Sequence, residues 1–205
     1  MRPLLIALLA TPLFAQPWYP RHAFTIGVGA AQPGNELAGL FSNSAGLTIG
    51  YGYRLHRYLQ ADVALDTVFY AARVNDYLQT GLGDLRIHDY QFLIPFGARA
   101  ILPMDHGRFL VSAGGGGVHM RYTELLRQPG ENFKLDCRVC GSRVGWGYYG
   151  LAGASMALDQ RQHFRLGVTA RVYQGHTGGD RLGPVPGFRT RDRWVNVFGE
   201  FGFAF

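Results

Sequence analysis

The chain has 205 residues, 29 of them glycine, with 14% aromatic residues and a formal charge of +6. Its high isoelectric point invites a nucleic-acid reading, but 19 of the 20 basic residues are arginines scattered singly, Lys134 is the one lysine, and no nucleic-acid motif is present. Nucleic acid is therefore excluded as a partner, and the length fits one domain.

Met1-Arg2-Pro3, the apolar stretch 4–10 and Pro12-Leu13-Phe14-Ala15 read as a secretory signal peptide. The expected division is a signal peptide over 1–15 and a single domain over 16–205. Leu13 is larger than the residue usual at that point of a cleavage site, so the cut is approximate. The stretch 4–10 is well short of the roughly 20 residues of a spanning helix, and no later segment is long, apolar and free of charge. Such a chain can still cross a membrane as a closed barrel.

Period-two alternation predicts eight strands, at roughly 24–32, 45–54, 59–71, 89–102, 108–122, 144–158, 164–174 and 192–205. The connections 55–58, 103–107 and 159–163 are short. The connections 33–44, 72–88, 123–143 and 175–191 are long. Strict alternation of short and long connections is the rhythm of periplasmic turns and extracellular loops on an even-stranded transmembrane barrel, and it puts both termini in the periplasm. The expected fold is all-β, an eight-stranded antiparallel up-and-down transmembrane barrel.

Six strands carry one continuous apolar face, from Phe24, Ile26 and Val28 in the first to Phe164, Leu166 and Val168 in the seventh. These faces are expected to meet lipid. The fifth strand is ambiguous, because Ser112-Ala113 and the run Gly114 to Gly117 erase the contrast; a bulge is expected there. The glycine run lacks a following Lys-Ser/Thr, so it is not a phosphate-binding loop. Pro95, inside the fourth strand, calls for a bulge or one missing ladder bond.

The last strand is the most telling. Val195, Val197, Phe201, Phe203 and Phe205 share one face, and Asn196, Glu200, Gly202 and Ala204 the other. Three phenylalanines in a row on one face suit lipid better than water. This strand, with Phe201, Phe203 and the terminal Phe205, resembles the C-terminal strand of bacterial outer-membrane barrels, which implies that these residues form a signal for the barrel-assembly machinery. Across the mature chain the strand rhythm, termini and charge placement resemble the OmpA- and OmpX-like small outer-membrane barrels. The resemblance implies a setting in outer-membrane lipid and lipopolysaccharide. No peptidoglycan-binding domain is expected after Phe205.

Arg54, Asp62, Asp66, Gln91, Arg99, Arg165, Arg171 and Glu200 fall on the opposite, inward faces, and His119 and Arg121 are candidates to join them. An eight-stranded barrel is barely wide enough for its own side chains, and charges there must be paired. Asp62 is expected to meet Arg99, and Glu200 to meet Arg171 or Arg165, giving a lumen filled by ion pairs and hydrogen bonds. That interior reads as a plug; the alternative is a narrow pore.

Cys137 and Cys140 are the only cysteines. Gly141 after the second rules out haem attachment, no second pair exists for zinc, and the setting is not that of a thioredoxin. In an oxidising compartment a local disulfide is expected. Lipid A deacylases resemble the chain in barrel size, but their motif places a Ser two residues after a His, and none of the seven histidines here is followed in that way. Gly153-Ala154-Ser155-Met156-Ala157 lacks the last glycine of a nucleophile elbow and lies in a strand. Asp62, Asp66, Asp76, Asp84 and Asp89 are not placed against a His by sequence. No catalytic, metal or cofactor constellation is legible. The expectation is a non-enzymatic outer-membrane barrel with an envelope-integrity or surface-binding role; a small pore is the alternative, ahead of a lipid A-modifying or proteolytic barrel. An extracellular ligand would be met by the long loops. The fourth is the most basic, and its Arg189 and Arg191 are candidates to touch lipopolysaccharide phosphates.

Overall fold

The computed structural model describes residues 19–71, 77–80, 83–126, 137, 139–182, 185 and 187–205. The expected signal peptide lies outside them, as do parts of the second, third and fourth loops. Among the described residues no helix is long and apolar enough to cross a membrane. The alternating sequence forms β1 (His22–Asn35), β2 (Ser44–His56), β3 (Leu59–Phe69), β4 (Tyr77–Thr80), β5 (Gly83–Met104), β6 (Phe109–Leu126), β7 (Ser142–Ala157), β8 (Phe164–Gly179) and β9 (Thr190–Ala204). Eight of these pair antiparallel with their neighbours and close into a barrel. The seam is β1 with β9, running from Ala23↔Ala204 to Asn35↔Asp192, and β3 with β5 completes the ring. The short β4 pairs only with the start of β5, as a hairpin beyond the barrel wall.

The short connections and the residues His22 and Phe205 lie at one end, the turn end. Backbone hydrogen bonds of 2.8 and 2.9 Å tie those two residues together. Asp159 Oδ1 accepts the Phe164 N–H at 2.8 Å and fixes the β7–β8 turn; that bond holds its carboxyl below the ordinary carboxylate range. In the β5–β6 turn, Gly107 has φ +89°, in the region that favours glycine, while the atom a Cβ would meet at 2.7 Å is the flexible end of the Gln162 side chain.

At the other, loop end the strands run further than their apolar alternation. Beyond Val195 the outward residues of β9 are Arg193 and Arg191, on β8 His176 follows, and on β6 Arg121; all are exposed. The inward residues at the same level, Arg143, Thr177, Thr190 and Asp192, are buried and polar. Period two persists, but neither face is apolar, so hydrophobic contrast alone ends seven of the eight barrel strands too early, whereas β3 stops at Phe69, short of the expected 71.

All six continuous apolar faces turn outward. Pro95 interrupts one ladder and leaves the other intact. β5–β6 is continuous through Pro95↔Val118, while β3–β5 passes from Val63↔Phe96 to Asp66↔Leu93 with no pairing of Ala64 or Leu65. This is the missing-bond solution, since proline has no N–H to donate. No bulge occurs at the glycine run, where both ladders of β6 keep their register. The glycines instead permit close approach: a Cβ on Gly116 would lie 2.2 Å from the Phe96 carbonyl oxygen. His119 and Arg121 do not join the lumen. Val118, Met120 and Tyr122 are the buried, inward residues of β6, so the alternation sends His119 and Arg121 outside, where His119 packs 4.7 Å from the Trp146 ring.

Candidate functional site

The interior has three tiers. The middle one is ionic. Arg171 on β8 donates through Nη1 to Asp66 Oδ1 on β3 and to Thr48 Oγ1 on β2 at 2.8 Å. Its Nη2 donates to Glu200 Oε1 on β9 at 3.0 Å. Thr48 and Tyr173 donate to Asp66 at 2.7 and 2.5 Å, and Thr169 donates to Glu200 at 2.8 Å. Asp66 is fully buried and Arg171 all but so. Nearer the turn end, Arg99 Nε meets Asp62 Oδ2 at 2.6 Å, and Gln60 donates to the other oxygen at 2.7 Å. Every carboxylate oxygen of Asp62, Asp66 and Glu200 thus has a donor, as burial in a water-poor interior demands.

The loop-end tier is apolar and aromatic, whereas the expectation was a lumen filled by ion pairs and hydrogen bonds. Leu93, Met120, Tyr122, Tyr149, Tyr173 and Trp194 form its body. Leu37 and Phe41 enter from the β1–β2 loop, and Leu182 and Val185 from the β8–β9 loop. Trp194 Nε1 donates to Tyr122 Oη at 3.0 Å. Around the rim, Thr177 and Thr190 donate to Asp192 at 2.5 and 2.7 Å, and Arg143 holds the Phe188 carbonyl at 3.1 Å. Glu36 accepts the Arg191 N–H at 3.0 Å and links the two loops. Inward tryptophan, tyrosine and phenylalanine on a face read as polar were missed; the signal was present in Trp194 and Phe198, which share the parity of Glu200 rather than that of Phe201.

The turn-end tier is open. A cavity of about 100 Å³ is lined by Arg54, Arg99, Arg165, Ser155, Thr169 and Glu200 among others. The sequence-predicted charges therefore divide into Asp66, Arg171 and Glu200 across the barrel, the pair Asp62 and Arg99, and Arg54 with Arg165 at the cavity. Arg171, not Arg165, is the partner of Glu200. Ser155 lines the cavity, but no histidine does so among the described residues. Asp62 and Asp66 are taken up by Arg99 and Arg171, which leaves neither to orient a histidine base. Asp76 lies outside the described residues.

Cys137 and Cys140 form a disulfide across a sequence separation of 3. Phe201, Phe203 and Phe205 stand outward at the turn end. Phe203 packs on Phe164 and Phe205, and Phe205 stacks on His22 with centroids 5.2 Å apart. The aromatic row therefore lies against the closing seam.

No protein-family model matches the chain, and no curated protein does so either. Solved structures do. The outer membrane protein OprG from Pseudomonas aeruginosa superposes with a TM-score of 0.53 at 14% identity, covering 91% of this chain and 97% of its own. Neisserial surface protein A superposes with a TM-score of 0.55 at 13% identity, covering 90% and 97%. At such identities the likeness speaks to fold: this chain has the closed, eight-stranded antiparallel fold of the small outer-membrane barrels.

Proposed function

We propose that the chain is an integral outer-membrane barrel, non-enzymatic, with a closed lumen and a structural or surface-binding role exercised through its loops. The inverted burial carries the reading. Val28, Trp146 and Tyr148 are more than 60% exposed on the outside, while Asp66, Arg171 and Asp192 are buried within. In water that surface would aggregate; in a bilayer it is the expected one. The outward apolar faces from Phe164 to Val172 on β8 and from Val195 to Phe205 on β9 match the about 9–11 residues that a tilted strand needs to cross. Exposed Arg121, Arg191 and Arg193 begin where this band ends, the level at which they would meet lipopolysaccharide headgroups.

In this reading the signal peptide 1–15 is removed, both termini and the three turns are periplasmic, and Phe201, Phe203 and Phe205 are read by the barrel-assembly machinery. The loop-end core argues for a plug over a pore, since aromatic packing leaves ions no wet path. The test combines three measurements. Membrane fractionation with a heat-induced gel shift reports a folded outer-membrane barrel. Labelling of single cysteines placed in the turns and loops of intact cells reports orientation. Planar-bilayer recording of the purified protein is expected to show no steady conductance. Recovery in the soluble fraction would overturn the membrane reading, and reproducible conductance would overturn the plug.

A further inference from the structure

The lumen on the turn side of Arg171 is neither packed nor electrically balanced. One water needs about 10–15 Å³ of probe-occupied space, so the cavity of about 100 Å³ has room for a small hydrated ion. Two of the charges that line it are neutralised: Arg99 by Asp62 and Glu200 by Arg171. Arg54 and Arg165 have no carboxylate partner in salt-bridge contact among the described residues. Arg54 lies 5.5 Å over the Tyr19 ring. Arg165 donates through Nη2 to the Gly107 carbonyl at 2.6 Å and to Gln162 Oε1 at 3.2 Å, while its Nη1 is buried without a hydrogen-bond partner. The two guanidinium groups repel each other. Asp159, on the adjoining turn, attracts Arg165 only at a distance, and its Oδ1 is already taken by the Phe164 N–H.

Two like charges held together at a cavity wall, neither with a carboxylate partner among the described residues, make half of a binding site. We propose that this vestibule binds a small tetrahedral oxyanion of the phosphate class between Arg54 and Arg165. Guanidinium groups present several N–H donors in a fixed fork, suited to an anion with three or four oxygens. Ser112 and Ser155 line the same cavity and supply hydroxyls for the remaining oxygens. The Arg171 tier closes the space above, so the anion enters from the turn end and leaves the same way.

The test uses the folded full-length barrel in a non-ionic, phosphate-free detergent, titrated with inorganic phosphate by calorimetry. Saturable binding is expected, with sulfate competing and acetate competing poorly. Arg165→Gln and Arg54→Gln are each expected to weaken phosphate binding by about tenfold or more, from loss of a charge-assisted contact, with an unchanged heat-induced gel shift confirming the fold. Displacement by phosphatidylglycerol added to the micelle assigns the site to a lipid headgroup. Displacement by glycerol phosphate alone assigns it to a soluble ion. Both keep the vestibule as the oxyanion site. Absence of saturable binding, or binding that survives both substitutions and is lost in Arg189→Ala with Arg191→Ala, overturns the proposal.

Discussion

Arg171→Met is the sharpest probe of what ties the barrel together across its lumen. The methionine keeps much of the side-chain length and removes the charge shared by Asp66 and Glu200. Breaking a buried ion pair from one side costs about 3–5 kcal/mol, because a charge is left uncompensated. Two carboxylates are stranded here, yet Thr48 and Tyr173 still donate to Asp66 and Thr169 to Glu200. The same range of about 3–5 kcal/mol is therefore expected, a fall in folding equilibrium of roughly a hundredfold to several thousandfold. If stranded charge is the cause, neutralising it restores stability. Arg171→Met with Asp66→Asn and Glu200→Gln should recover most of the loss. Urea unfolding from lipid vesicles, followed by tryptophan fluorescence and by the gel shift, measures both. A single-variant loss below about 1 kcal/mol, the level of a surface pair, or a triple variant no more stable than the single one, would refute the reasoning.

Trp194→Ala removes the largest fully buried side chain and is expected to cost about 3–5 kcal/mol in the same unfolding assay, whereas Tyr122→Phe, which strands the Trp194 N–H, should cost about 1–3 kcal/mol. Replacing Cys137 and Cys140 by Ser opens a loop of only a few residues, so the barrel should lose no more than about 2 kcal/mol; alkylation of native protein followed by mass spectrometry should find both thiols blocked in the wild type. Asp159 gives a pH signature. Its folded carboxyl is depressed by the Phe164 N–H, so its contribution is complete above the unfolded value near pH 4 and is lost as pH falls through the lower folded value. Asp159→Ala should flatten the shift in unfolding midpoint between pH 6 and pH 3, and an unchanged shift would sink the assignment.

What the sequence made legible follows from what strand alternation can report. Outward Phe201, Phe203 and Phe205 were readable because lipid demands a continuous apolar face, a pattern that survives without any knowledge of the partner strands. Asp62 with Arg99 was readable because β3 and β5 are consecutive strands of the barrel wall, separated along the chain by only the short β4 hairpin, and their heights can be counted from the nearest turns. Asp66 with Arg171 was not. Those residues are 105 apart in sequence, and three strands lie between β3 and β8 in the sheet order, so their contact crosses the lumen and depends on barrel radius and stagger. The loop-end extensions were lost for another reason. Once both faces are polar, as at Arg191 and Asp192, hydrophobic contrast vanishes although the backbone ladder continues.

The tiers assign separate tasks to separate residues, and this bears on where function lies. The loop-end core of Tyr122, Trp194, Phe41 and Leu182 is built like the interior of a soluble protein, so that end holds its shape by packing as well as by lipid. Arg171 on β8 also reaches Asp66 on β3 and Thr48 on β2, strands with which β8 shares no ladder, and so resists slippage of one wall against the other. In both tiers the carboxylates are matched, those of Asp66 and Glu200 by Arg171 and hydroxyls and that of Asp192 by Thr177 and Thr190, although Asn196 and Gln91 Oε1 are buried without partners. In the proposed reading, chemistry that needs a second molecule lies at the two ends, and binding at the loop end falls to the exposed arginines and the segments that carry them. At the turn end the proposed oxyanion site places it in the vestibule, whose wall carries two guanidinium groups, Arg54 and Arg165, without a carboxylate partner among the described residues.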